Sequence, residues 1–165
     1  MKLLITSLII FLAFSSLALA QSFKDRAIFS PDISFLWNFQ RGVEEIYRIV
    51  KFSSTMRIQY SLELCERRIG EMEVLINKNK TNFVPIPETD YEMEIDKIES
   101  EMNSTDIFSK IITIPDIKEN VTERLDYDNK VLNIILSNAT EPAKTYVANA
   151  IKKTSSCIDS INSVR

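Results

Sequence analysis

Histidine is absent from the 165 residues of this chain, and glycine occurs only twice, at Gly42 and Gly70. Without histidine, the chain cannot form a catalytic triad with a histidine base, a helical His-Glu zinc motif or most mixed zinc sites. Two isolated glycines cannot form a glycine-rich loop around a phosphate, and two cysteines are too few for a four-cysteine metal site. We therefore predict no catalytic residue, no metal site and no cofactor, and a protein that is not an enzyme.

Carboxylates are the remaining groups that could support chemistry. They are dense only at Asp90, Glu92, Glu94, Asp96, Glu99 and Glu101. The spacing of Glu92, Asp96 and Glu99 places them on one side of a helix, where their oxygens could attract calcium. A calcium site usually needs a loop that folds around the ion, so we expect a solvated acidic face instead.

Residues 1–20 have the pattern of a cleaved export signal. Lys2 is followed by an apolar segment from Leu3 to Phe14, and Ala18 and Ala20 supply the small residues that a signal peptidase requires before Gln21. This predicts a single mature domain over residues 21–165 in a secreted or extracytoplasmic location, in the periplasm or cell envelope. The alternative is a retained anchor, because the apolar segment is nearly long enough to cross a bilayer. No second apolar run of that length follows, so we expect no integral membrane segment after signal removal.

The net charge of −3 becomes one unit more negative when Lys2 is removed. Nucleic acids and anionic lipids are held chiefly by clustered lysine and arginine, so this charge argues against both as partners. Cys65 and Cys157 each lie on the apolar face of a helical segment. In an exported chain they can form a disulfide between the second and last helices, or remain free as small buried hydrophobic residues. The sequence leaves both alternatives open.

Amphipathic segments separated by proline and by Asn/Ser/Thr clusters predict an all-α bundle of about five helices that begins with an antiparallel hairpin. The short β-branched stretch from Ile107 to Ile114 is either a helical turn or an extended link. The five helices are expected from Ser30 and Pro31 to about Phe52, from Ser53 and Ser54 to about Ile76, from Thr89 to about Asn103, from Pro115 to about Asn138, and from Thr140 onward.

The first two helices carry clear apolar stripes. We expect the stripe of the first helix to be buried in the core, although its aromatic residues could instead line a ligand pocket. On the second helix, Glu63, Arg67 and Glu71 lie opposite the stripe and predict a solvated charge ladder. The stripe of the first helix contains Phe35, Leu36, Trp37, Phe39, Val43, Ile46, Tyr47 and Val50, and that of the second contains Ile58, Leu62, Cys65, Ile69, Met72 and Ile76.

Four Asn-x-Ser/Thr sequons occur, at Asn79, Asn103, Asn120 and Asn138, all in or beside polar stretches. In an exported archaeal or eukaryotic protein these asparagines could carry glycans.

Two parts of the chain resemble a family of exported bacterial and archaeal helical proteins classed as a domain of unknown function. The segment from Pro31 to Trp37 resembles the Pro-Asp-Ser-x-Leu-Tyr start of that family, and the segment from Leu62 to Glu71 resembles its arginine-rich second helix. The segment from Val131 to Lys144 is similar to its later helix junction. The chain lacks the histidine expected near Asp128 and has Cys65 where a small alanine is usual. The resemblance implies export and a helical fold, and it implies no activity.

We expect an exported, non-catalytic interaction module whose partner is another envelope or extracellular protein. Two other hypotheses remain: an envelope stress sensor or chaperone-like protein that binds clients or metal, and a carrier of apolar ligands. A bundle does not encode its partner, and the sequence leaves the oligomeric state open.

Overall fold

The computed structural model describes residues 23–51, 53–103 and 114–163. These residues form helices joined by short connections, with no strand among them, so the predicted all-α class is confirmed. The predicted signal segment at residues 1–20, Phe52 and most of the stretch from Ile107 to Ile114 lie outside the described residues. The helices are α1 (Phe23–Arg26), α2 (Ser34–Ile49), α3 (Ser54–Asn77), α4 (Pro85–Asn103), α5 (Ile114–Asn138) and α6 (Ala143–Ser163), with a 3₁₀ turn at Thr81–Phe83.

Helices α3 to α6 form a four-helix bundle. Helix α3 packs against α4 and α5, and α6 packs against the same two helices from the opposite corner. The short helix α1 lies on α3. Helix α2 runs antiparallel to α3, because Trp37 near its start contacts Glu71 while Arg48 near its end contacts Ser61. The predicted antiparallel hairpin is therefore present, but α2 is attached to the outside of the bundle.

The apolar core is supplied by the inner stripes of α3 to α6, as the periodicity predicted for those helices. Cys65 and Cys157 are both buried in this core, and the structure has them as free thiols. Tyr91 and Thr154 share a hydrogen bond of 2.5 Å between α4 and α6 within the core. The core also contains Ile58, Leu62, Ile69, Met72, Leu75, Ile95, Ile98, Val121, Leu125, Leu132, Ile135, Val147, Ala150 and Ile161.

Several helix ends differ from the sequence-based expectation. Helix α4 begins at Pro85 rather than Thr89, because a proline in the first turn lacks only an amide hydrogen that would have no helical partner there. Helix α2 begins at Ser34, and the Ser30 carbonyl instead accepts a turn hydrogen bond from the Ile33 amide at 2.9 Å. After α3, Asn79 has a φ of 55°, the left-handed conformation in which asparagine commonly ends a helix.

No helix among the described residues is long and apolar enough to span a membrane.

Gly70 permits the close packing of α1 on α3, and this gives a direct test. A β-carbon at Gly70 would overlap the backbone carbonyl of Phe23, whereas a β-carbon at Gly42 meets nothing within 4 Å among the described residues. We expect Gly70→Ala to displace α1 and to lower the free energy of unfolding by about 1–3 kcal/mol. The control Gly42→Ala should raise it by up to about 1 kcal/mol through helix propensity. Denaturant unfolding measures both, and equal effects of the two substitutions would contradict the proposed packing.

Candidate interaction surface

Helix α2 contacts the bundle through its polar side. The residues of α2 that are fully buried are Gln40 and Glu44, not the members of its apolar stripe. The Tyr60 hydroxyl of α3 donates to the Glu44 carbonyl at 3.1 Å, and the Gln40 side chain accepts from the Phe29 amide at 3.2 Å. Side-chain and backbone polar groups therefore fix α2 on the bundle.

An arginine at the centre of this interface joins the two helices. Arg68 of α3 is completely buried and pairs with Glu44 of α2 and, at 2.5 Å, with Glu71 one turn further along α3. Gln40 donates to both carboxylates, at 2.9 Å to Glu44 and 3.2 Å to Glu71. The indole of Trp37 donates to Glu71 at 3.3 Å. Each buried carboxylate thus has several donors, which offset the cost of removing it from water.

Further ion pairs extend this centre toward α4. Arg41 pairs with Glu44 on its own helix at 2.8 Å and with Asp90 of α4 at 2.6 Å, so it links α2 to α4. Arg48 pairs with Glu94 of α4 at 2.6 Å, and its guanidinium lies 5.9 Å from the ring centre of Tyr60. We call the eight charged residues the buried ionic network; they are Arg41, Glu44, Arg48, Arg67, Arg68, Glu71, Asp90 and Glu94.

The charges in the network balance, and the pKa values reflect this. Burial opposes ionisation of Glu44, but the attraction of Arg68 and Arg67 outweighs it and lowers the pKa of Glu44 from 4.5 to about 2. Glu44 thus contributes stability above pH 4.5, which is lost as the pH falls through about 2. Burial raises the pKa of Glu71, although Arg68 opposes the rise. Burial alone would lower the pKa of Arg68, but the attraction of Glu71 and Glu44 outweighs it and raises the pKa, so the guanidinium stays charged.

The apolar side of α2 faces outward, and the expectation that its stripe is buried is wrong for most of the stripe, of which only Trp37, Val43 and Tyr47 are half-buried. Phe35 is 79% exposed, Phe39 65%, Ile46 62% and Ile49 77%. The reason is that the surface of α3 beneath α2 carries Arg67, Arg68 and Glu71 instead of an apolar groove. We call the exposed apolar side of α2 the outer face; it consists of Phe35, Leu36, Phe39, Gly42, Val43, Ile46, Ile49 and Val50.

The predicted charge ladder on α3 also needs correction. Glu63 is exposed as expected, but Arg67 is only partly exposed and Glu71 is wholly buried. Glu71 is buried because α2 covers it and supplies donors from Trp37 and Gln40. The i, i+4 spacing indicated a helix surface, but it could not show that a second helix covers that surface.

The acidic segment of α4 divides into two sets. Asp90, Glu94 and Glu101 pair with Arg41, Arg48 and Arg57, respectively. Glu92, Asp96 and Glu99 remain at least partly exposed, as expected of a solvated face, and Asp96 pairs with Lys153 at 2.5 Å. No group of three His, Cys, Asp or Glu side chains in the described ranges is arranged to hold a metal ion.

Asp128 is a buried carboxyl group outside the ionic network that sequence reasoning missed. It lies in the core on α5 with no exposed surface, and neither carboxylate oxygen has a hydrogen-bond partner among the described residues. Burial raises the pKa of Asp128 well above its usual value, and Arg124 and Arg26 only partly oppose this. Burial also raises the pKa of Cys65, and it raises that of Cys157 to about 11, so both thiols are protonated at neutral pH.

The sequon asparagines are all at the surface. Asn79, Asn103, Asn120 and Asn138 are exposed, at helix ends or on the outer sides of helices. They are distributed around the bundle and do not form one site.

A family model described as Domain of unknown function (DUF5667) matches residues 29–156, which include α2 to α5 and most of α6. No curated protein and no solved structure matches the chain significantly.

The buried ionic network predicts unequal effects for two ion-pair substitutions. Arg68→Ala leaves Glu44 and Glu71 buried without their main partner and should lower the free energy of unfolding by about 3–5 kcal/mol. Lys153→Ala removes the exposed pair with Asp96 and should cost less than about 1 kcal/mol. Urea unfolding at neutral pH measures both values. A loss at Arg68 as small as that at Lys153 would contradict the structural role of the network.

Asp128 predicts a pH-dependent difference between the wild type and Asp128→Asn. Because the folded-state pKa of Asp128 is raised above 3.8, the stability linked to this group is greatest below pH 3.8 and is lost as the pH rises toward the folded pKa. Asparagine has nearly the same shape and stays neutral. We expect the variant to melt at a higher temperature than the wild type near pH 7 and to lose this advantage near pH 4. A constant difference across this range would contradict the assigned shift.

Proposed function

The chain belongs to the family of the Domain of unknown function (DUF5667), and we propose that it is an exported, non-catalytic module that binds another protein through the outer face of α2. The partner would be an envelope or extracellular protein. The observation that carries this proposal is the exposure of the outer face on a helix whose polar side is buried.

The size of the outer face supports binding over a structural role. Six of its side chains are large, apolar and at least 37% exposed: Phe35, Leu36, Phe39, Ile46, Ile49 and Val50. The largest apolar patch of a typical soluble monomer measures about 300–600 Å² and is often functional, and the outer face, with roughly 600 Å² of exposed apolar side chain, is at the upper end of that range. An isolated exposed residue such as Ile134 needs no such explanation.

The rigidity of α2 supports recognition of a folded partner. The ion pairs and hydrogen bonds of Gln40, Glu44 and Arg48 already hold the helix in one orientation on the bundle. A partner would not need to order it, so less conformational entropy is lost on binding. Helices that present a stripe at i, i+3, i+4 and i+7 commonly pack into grooves or against other helices.

Export is supported by the sequence of residues 1–20 and by the positions of the sequons. All four sequon asparagines are exposed, so a glycosylating host could modify them without disturbing the core. None of them belongs to the outer face.

A chaperone-like role is a second candidate, because an exposed apolar helix face could also bind unfolded chains. It predicts that the purified protein suppresses aggregation of an unrelated client such as reduced insulin, and that Phe39→Ser reduces this effect. No suppression by the wild type would remove this candidate.

The interaction proposal is tested by photo-crosslinking in the producing cells. We expect a photoreactive phenylalanine analogue at Phe39 to form a discrete protein adduct, because Phe39 is an exposed aromatic residue of the outer face. The same analogue at the exposed position Asn133 on α5 serves as the control. Absence of any adduct at Phe39, or equal adducts at both positions, would contradict the proposal.

Export is tested by the N-terminus of the mature protein. We expect protein recovered from outside the cytoplasm to begin at Gln21, as measured by intact mass and N-terminal peptide sequencing. A cytoplasmic protein that retains residues 1–20 would refute export. A membrane-bound protein that retains them would instead indicate an anchor.

A further inference from the structure

We propose that the outer face of α2 binds the same face of a second copy of this chain, as an antiparallel helix pair with its two-fold axis between Gly42 and Val43. This inference rests on the proposed function and names the partner of the same surface.

The outer face has the repeat of a helix-pairing seam. Its residues recur at intervals of seven in three series: Phe35, Gly42 and Ile49; Leu36, Val43 and Val50; and Phe39 and Ile46. A seven-residue repeat keeps one stripe directed toward a neighbouring helix, where the side chains interlock. The stripe therefore suits a second helix as the occupant.

The apolar positions of the outer face also have the same spacing toward both ends of α2 from the centre of the face. Reversal about the midpoint between Gly42 and Val43 exchanges Phe39 with Ile46. It also exchanges Phe35 with Val50, and Leu36 with Ile49. In an antiparallel pair, each apolar residue would then face an apolar residue of the second copy. A two-fold interface requires this self-complementarity, since the same patch serves both partners.

The centre of the outer face allows the two helices to approach closely. Gly42 is exposed, and no described residue lies within 4 Å of the position that a β-carbon would occupy there. Glycine in an exposed helix interior is about 1 kcal/mol less favourable than alanine, so its presence calls for a reason outside the isolated helix. Next to the two-fold axis, it leaves room for the backbone of the second copy.

The charges beside the outer face are compatible with this pairing. Glu45, on one border of the face, would lie beside Asn38 of the second copy, because equivalent borders meet in an antiparallel pair. Arg41 and Arg48, on the opposite side of the helix, are occupied by carboxylates of the buried ionic network. Like charges therefore do not meet across the axis.

The outer face provides most of the area that a stable dimer buries on each partner. The six large exposed side chains offer roughly 600 Å² of accessible surface. A standard protein interface buries about 800 Å² on each partner. The bordering residues Asn38, Glu45 and Tyr47 can supply much of the difference. Because Gln40 and Glu44 attach α2 to its bundle from another side, the two bundles would lie outside the helix pair without overlap.

The test uses a charge exchange between the two positions that the reversal brings together. Phe39→Lys and Ile46→Glu, made singly in the mature chain, each place two unpaired charges in the interface. Each should raise the dimer dissociation constant by at least about a hundredfold relative to the wild type. The double variant places each new lysine against a new glutamate of the other copy. It should dimerise at least about tenfold more tightly than either single variant.

Sedimentation velocity over a concentration series measures these constants, and circular dichroism checks that each variant folds. The control is Ile134→Glu on α5, because Ile134 is 63% exposed and thus closely matches Ile46 at 62%. The control should leave dimerisation unchanged.

A wild-type chain that stays monomeric at every concentration would overturn the second-copy proposal. If none of the face substitutions weakens the dimer, the outer face is not the interface. If the double variant fails to restore the dimer, the antiparallel register is wrong. In a parallel pair, Phe39 would face Phe39, and the charge exchange would bring like charges together. A monomeric protein that still crosslinks to a different protein at Phe39 in cells would refute only this inference and would leave the proposed function intact.

Discussion

Arg68 carries a positive charge in a position with no contact to water, and the orientation of α2 on the bundle depends on it. A buried guanidinium is strongly unfavourable unless carboxylates surround it, and Glu71 on its own helix supplies only one. The second, Glu44, is on α2, so the ion pair can form only when α2 lies on the bundle with its polar side inward. Gln40 and Trp37 add hydrogen bonds that favour the same orientation.

The exposed outer face follows from this constraint. In most surface helices of soluble proteins, the apolar stripe faces the core and the charges face water. Here the bundle presents arginine and glutamate to α2, so the stripe is directed outward. The resulting surface is apolar and is held in one orientation by ion pairs, and these two properties together suit recognition of another helix. The attachment of α2 and the availability of the surface thus have a single physical origin in the ionic interface.

The bundle itself could be predicted from sequence, whereas the orientation of α2 could not. The stripes of α3, α5 and α6 contain Leu62, Leu125 and Val147, and each is buried as its spacing indicated. The same reasoning failed for Phe39 and Ile46, because periodicity shows that a helix is amphipathic but not which side contacts the rest of the protein. Glu44 and Arg68 are separated by 24 positions, and nothing local indicates that they pair. Asp128 lies three residues after Leu125 and four before Leu132, on the inward stripe of α5, but its charge alone indicated a solvated side chain.

The orientation of α2 is tested most directly by alanine substitution on its two sides, with unfolding measured at concentrations low enough for single chains. We expect Glu44→Ala to lower the free energy of unfolding by about 3–5 kcal/mol, since it leaves Arg68 without one of its two buried partners. Ile46→Ala should change it by no more than about 0.5 kcal/mol, as is usual for exposed positions. The reverse order, with a loss of about 2–5 kcal/mol at Ile46 and little effect at Glu44, would show that the apolar side faces the core and would contradict the structure described here.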